Sequence, residues 1–269
     1  MTEQRTQYDG IVIRQMTLAV GAAAALLPAI GALADVGIGM ATGGSVSALP
    51  PDAAGRFAQL IANPALGLYN LDLLNLVTTL IMFPAMYACW VVLRREGPAA
   101  GLALALGGIG TAVFVVNNPA LPMLGLSLNF AGADESRRTL LAAAGEAILA
   151  KGAHGSPGVL PGFLLLSIAN IILAGEMFRT NVFSRVAGIL GMSGNIMLGL
   201  YLVLVTFVPQ VRDMAMAFAA PGGLLTIGWI LLMAARLFRL SRTAPRFAAA
   251  HVADQRNKRI QKFMITGLR

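Results

Sequence analysis

Charge is scarce in this sequence: 12% of its 269 residues are Asp, Glu, Lys or Arg, where soluble domains carry roughly 25%. With 57% hydrophobic residues and a mean hydropathy of +0.73, the chain calls for lipid as its solvent. The single cysteine, Cys89, excludes an internal disulfide or a cysteine-based metal cluster and reads as a small buried hydrophobe. Both histidines, His154 and His251, fall outside the apolar runs, which removes a bis-histidine haem between spans. All three lysines, Lys151, Lys258 and Lys262, do too, so no retinal Schiff base can form inside a bundle. Walker A loops, nucleotide fingerprints, Gly-x-Ser-x-Gly, His-Glu-x-x-His and paired intramembrane aspartates are all missing, which argues against ATP-driven transport and the familiar membrane hydrolases. No clear internal repeat supports a secondary transporter. No cofactor, metal centre or catalytic set is expected.

What is abundant is long apolar runs. An α-helix rises 1.5 Å per residue, so about 20 apolar residues cross the roughly 30 Å hydrocarbon core. The runs predict an all-α polytopic bundle with six spans at about 16–38, 68–93, 99–116, 159–177, 182–208 and 214–238. A polar N-terminus (1–15) precedes the bundle and a basic tail (239–269) follows it. The first run, ending Ala32, Leu33, Ala34 before Asp35, also fits a cleavable signal peptide. Pro221 is a possible kink in the sixth span.

Two amphipathic surface helices are expected between spans. One lies in the Gly/Pro/Ser-rich loop 39–66, started by Pro51 and Asp52, with Phe57, Leu60 and Ile61 at helical spacing. The other runs from Asp134 to about Lys151, with Leu140, Leu141, Ala144, Ile148 and Leu149 on one face. Between the third span and that helix, Ala120–Phe130 is apolar but too short to cross, an interfacial or re-entrant piece.

The basic residues orient the chain. With both termini inside, 15 of the 20 Lys and Arg face the cytoplasm, against 5 (Arg56, Arg137, Arg138, Lys151 and Arg212) outside. A bacterial inner-membrane protein with cytoplasmic termini is expected. Its net charge of +8 would be directed at the anionic inner leaflet rather than at nucleic acid. The tail, with Ile260, Phe263 and Met264 at helical spacing beside Arg259 and Lys262, reads as a helix on that leaflet or as a disordered tail.

This topology gathers polar residues at the outer face. Proline pushes the residue before it out of the α region, so Asn117, Asn118, Pro119 should end the third span. Asp72 and Asn75, three apart at the start of the second, share a helix face. With Asp35, Asn70 and Glu146 they form a candidate site of carboxylates and amides, suited to a polar ligand, a proton or a hard cation. A polar collar that merely caps helix ends is the plainer alternative. Deeper in the bundle, Gly188, Gly191 and Gly194 with Asn195 make a small-residue face, and Asn170 falls at similar depth, which predicts close helix packing with interhelical hydrogen bonding.

The run Asn117, Asn118, Pro119, Ala120, then Arg138 with Leu140–Ala147, then Met177, Phe178, Arg179 with Phe183, Ser184, Arg185 resembles a bacterial family of about six-span integral membrane proteins classed as a domain of unknown function. The resemblance covers roughly residues 65–240. It implies a six-helix inner-membrane fold and supplies no substrate or catalytic residue. Two functions lead: binding of a small polar or amphiphilic ligand or cation at the outer-leaflet face, as sensor, binding module or permease, or a non-catalytic role as subunit or assembly factor with membrane-protein partners. Third is a membrane enzyme using isolated carboxylates such as Asp72 and Glu146 for acid and base work, with no nucleophile or metal set beside them.

Overall fold

A helix keeps its backbone donors and acceptors paired within itself, which is why apolar runs of this length fold as helices in lipid. The computed structural model describes residues 2–41 and 49–266, with side chains described for 12–34 and, apart from 209, 212, 213 and 216, for 49–243. The chain is an all-α polytopic membrane bundle, without strands among the described residues. Six stretches are long and apolar enough to cross a membrane: Val12–Ala34, Leu73–Leu93, Ala100–Ala131, Leu160–Arg179, Arg185–Phe207 and Ala217–Thr243.

The elements in order are α1 (Thr2–Ala41), α2 (Ala53–Ala62), α3 (Pro64–Tyr69), α4 (Leu73–Leu93), α5 (Ala100–Asn117), α6 (Ala120–Ala131), α7 (Glu135–Gly152), α8 (Leu160–Arg179), α9 (Arg185–Phe207) and, after a 3-10 turn at Pro209–Val211, α10 (Arg212–Thr266). The spans form a closed ring in which α1 packs on α4 and α10, α10 on α9, α9 on α8, α8 on α5 and α5 on α4. Large side chains such as Leu102, Ile109, Val116 and Phe207 stay exposed where lipid would lie, whereas Ala25, Ala29, Ala85, Ala88, Ala103, Ala169 and Ala174 are wholly buried. Small side chains let the helices approach closely inside, beside a few large ones such as Leu173, Trp229 and Met233, while lipid takes up the exposed apolar surface outside.

Gly191 shows how close the ring is drawn. A Cβ there would lie 2.7 Å from Ala174 Cβ and 2.8 Å from the indole of the fully buried Trp229. Gly188 faces the Phe178 backbone and Gly194 faces Thr226 and Gly222. Beside them Asn170 Nδ2 donates to Asn195 Oδ1 at 3.0 Å, and Asn195 Nδ2 donates to Gly191 O at 2.9 Å.

The remaining helices cap one end of the ring. There α2 packs on α3, α6 and α7, and α6 on α3 and α7, around a second core of Ala53, Phe57, Leu60, Leu71, Ala120, Met123 and Leu149. Helices α2 and α7 each begin on a side chain that accepts a backbone N–H: Asp52 from Gly55 at 2.7 Å, and Asp134 from Arg137 at 2.8 Å.

Some boundaries differ from the sequence reading. The second span starts at Leu73 rather than near 68, because Pro64 and the Asn63 cap start a separate short helix, α3. Helix α10 continues through Pro221 and through the tail to Thr266. The side chains proposed to touch the inner leaflet, Arg259, Ile260, Lys262, Phe263 and Met264, lie outside the described residues.

Candidate functional site

The cap and the ring meet at Asp72, where the chain turns from α3 into α4. Asp72 has φ 62° and ψ 26°, the one non-glycine residue among those described in the left-handed region. Aspartate tolerates that region better than most residues. The turn swings the carboxylate off the helix start, so it makes no cap bond to α4 and points sideways. Its Oδ1 accepts from Asn75 Nδ2 at 3.0 Å, and its Oδ2 lies 3.2 Å from His154 Nδ1.

His154 sits in the turn between α7 and α8. A carboxylate can only accept, so Nδ1 carries the proton in that bond. Nε2, 3.0 Å from the hydroxyl of Tyr201 on α9, then accepts when the ring is neutral and donates when it is charged. Phe163 of α8 meets the imidazole edge-on at 6.1 Å and packs at a tilt of 48° against Phe114 of α5, their ring centres 4.5 Å apart. The result is a three-residue chain, Asp72–His154–Tyr201, joining elements 82 and 47 residues apart in sequence. The side chains of His154 and Asp72 are 33% and 17% exposed, so the chain is sheltered yet reachable from outside. Burial pushes the Asp72 carboxyl up, but His154, Asn75 and Arg56 together outweigh it and hold the group below its ordinary value.

The proline break joins the same corner. Asn118 is extended (φ −62°, ψ 126°), as a residue before proline should be. Its amide spans two elements: Nδ2 donates to the Asp72 carbonyl at 3.2 Å, and Oδ1 accepts from Ala120 N at 3.1 Å to start α6. Asn117 Nδ2 reaches Gly158 O at 2.9 Å, tying the end of α5 to the start of α8. Gly152, the last residue of α7, lies so close that a Cβ would collide with the Asn117 carbonyl and meet the Pro119 ring at 3.0 Å.

Of the residues expected to converge, Asp72, Asn75 and Asn118 are in direct hydrogen-bond contact, and Asn117 ties down the neighbouring turn. Asn70 instead donates to Gln59 Oε1 at 3.1 Å. Glu146 accepts the Ala53 N–H at 2.6 Å, capping α2 from α7. The side chain of Asp35 lies outside the described residues. Among the described residues no three His, Cys, Asp or Glu come together in a way that could hold a metal ion.

Three residues that the sequence reading did not single out belong here: His154, Tyr201 and Arg56. Arg56, on α2, is half-buried; desolvation lowers its pKa, and the Asp72 charge partly offsets this. Its Nη1 reaches the Asn70 carbonyl at only 3.5 Å, and its Nε is sealed from solvent without a partner.

Fold and site together define a six-span helical membrane protein whose one end is roofed by a small helical cap and pinned at a polar corner. Compared with family models, with curated proteins and with solved structures, the chain matches none.

Proposed function

We propose that this protein binds a small polar or amphiphilic ligand at the capped end of its bundle, as a sensor, binding module or permease of the bacterial inner membrane. The positive-inside count supports placing the cap on the outer face and both termini in the cytoplasm. One observation carries the reading. The Asp72–His154–Tyr201 chain keeps a donor and acceptor set sheltered but reachable where cap and ring meet, and ionisable groups at the edge of a span are candidates for ligand or proton sites. Geometry favours a hydrogen-bonding ligand over a cation, since both Asp72 oxygens are engaged and Glu146 caps a helix. The small-residue face of Gly188, Gly191 and Gly194 is filled by this chain's own helices rather than left for a partner chain.

Native mass spectrometry of the gently extracted full chain tests the reading. Wild type should retain a small molecule that His154→Ala loses. A chain that carries nothing after gentle extraction, and runs only inside a larger assembly, would overturn it in favour of a subunit role.

A further inference from the structure

Resting on that reading and naming the ligand's chemistry, we infer that Arg56 is the anchor for an oxyanion, a phosphate group, at the capped end of the bundle. A guanidinium presents five donors in a planar fork, and burying it without acceptors is costly. Arg56 is half-buried, yet its one hydrogen bond among the described residues is the 3.5 Å contact to Asn70 O, and Nε has no partner. Asp72, the carboxylate whose charge Arg56 feels, makes no hydrogen bond to it among the described residues. Asp72 gives Oδ1 to Asn75 and Oδ2 to His154, and no carboxylate forms an ion pair with Arg56 among the described residues. The Asp72 charge is felt at Arg56, but no ion pair joins the two side chains, so the guanidinium remains open to a second anion.

Depth selects the anion. The Asn70 carbonyl and Asp72 immediately precede the Leu73–Leu93 span, so Arg56 stands where hydrocarbon gives way to headgroups, the level of lipid phosphates. A tetrahedral phosphate accepts two parallel N–H bonds from such a fork. The shared chemistry is a phosphate, supplied by a phospholipid headgroup or by a free phosphate.

The experiment uses the full chain with two probes. In one arm the protein is held in nanodiscs of phosphatidylglycerol mixed with a phosphate-free galactolipid, then stripped with detergent, and the retained lipid is counted by mass spectrometry. In the other, inorganic phosphate is titrated against the thermal midpoint in detergent. Wild type should retain phosphatidylglycerol over galactolipid, and Arg56→Gln should bind it roughly tenfold more weakly, as expected for a lost charge-assisted bond. A phosphate response lost in Arg56→Gln, with lipid retention unchanged, assigns the site to free phosphate. Folded Arg56→Gln that matches wild type in both arms overturns the inference. If that variant does not fold, Arg56→Met, which keeps an apolar stem and drops the charge, decides by the same readings: loss of binding in either arm supports the inference, and equality with wild type in both overturns it. A molecule that survives Arg56→Gln but is lost on His154→Ala would sink the phosphate assignment and leave the binding reading standing. No bound molecule in any variant would sink both.

Discussion

Where α9 meets α8 and α10, contact is made by residues with almost no side chain: Gly188 against Phe178, Gly191 against Ala174 and Trp229, and Gly194 against Thr226 and Gly222. Where α2 meets α6 and α7, it is made by bulk: Phe57 stacked on Phe130 at 5.2 Å, with Leu60, Met123 and Leu149. The difference follows from solvent. Between spans no hydrophobic force drives association, because lipid tails are as apolar as leucine, so fit and a few hydrogen bonds hold the ring. The cap buries its own apolar core and fixes its helix starts with side-chain caps, as a small soluble domain does.

Substitutions can break this contrast, beginning with the largest. Phe57→Ala should cost about 3–5 kcal/mol. Because the cap has its own core, the loss should show as faster hydrogen exchange in α2, α3, α6 and α7 with the spans protected; uniform loss would mean that cap and ring form one unit. Gly191→Ala, a substitution that usually favours a helix, should instead destabilise by about 1–3 kcal/mol through overpacking, read as a lower melting midpoint in detergent. Asp72 acts at the joint, with an effect of order 1–2 kcal/mol. Its folded pKa lies below the ordinary 3.8, so its contribution is complete above that value and is lost as pH falls through the lower, folded one. Acid melting curves should therefore dip there in wild type and stay flatter in Asp72→Asn. Smallest is Asn170→Leu, about 0.6 kcal/mol, which should leave the cap's exchange rates untouched.

The spans were legible because an apolar window of this length has few other readings. Asn118 was legible because Pro119 forbids the helix to continue, and Asn75 because it lies three residues from Asp72. His154 was not. The partners of its imidazole come from 82 residues upstream and 47 downstream, and no local pattern announces such a meeting. Tyr201 was masked by a commoner meaning, since a tyrosine near the end of a span ordinarily marks the membrane interface. Glu146 looked like a ligand because a lone carboxylate carries no sign of the Ala53 N–H it caps.

The ring's closure has a consequence for synthesis. Among the six spans α1 comes earliest in the sequence and α10 latest, and α1 packs on α4 and α10. Until α10 is made, one flank of α1 has only lipid to face, and the wall between these two spans stays open. A stalled or truncated chain would therefore present an unzipped seam to the quality-control proteases of its membrane. Removal of the first span after Ala34 would leave a finished chain with the same gap.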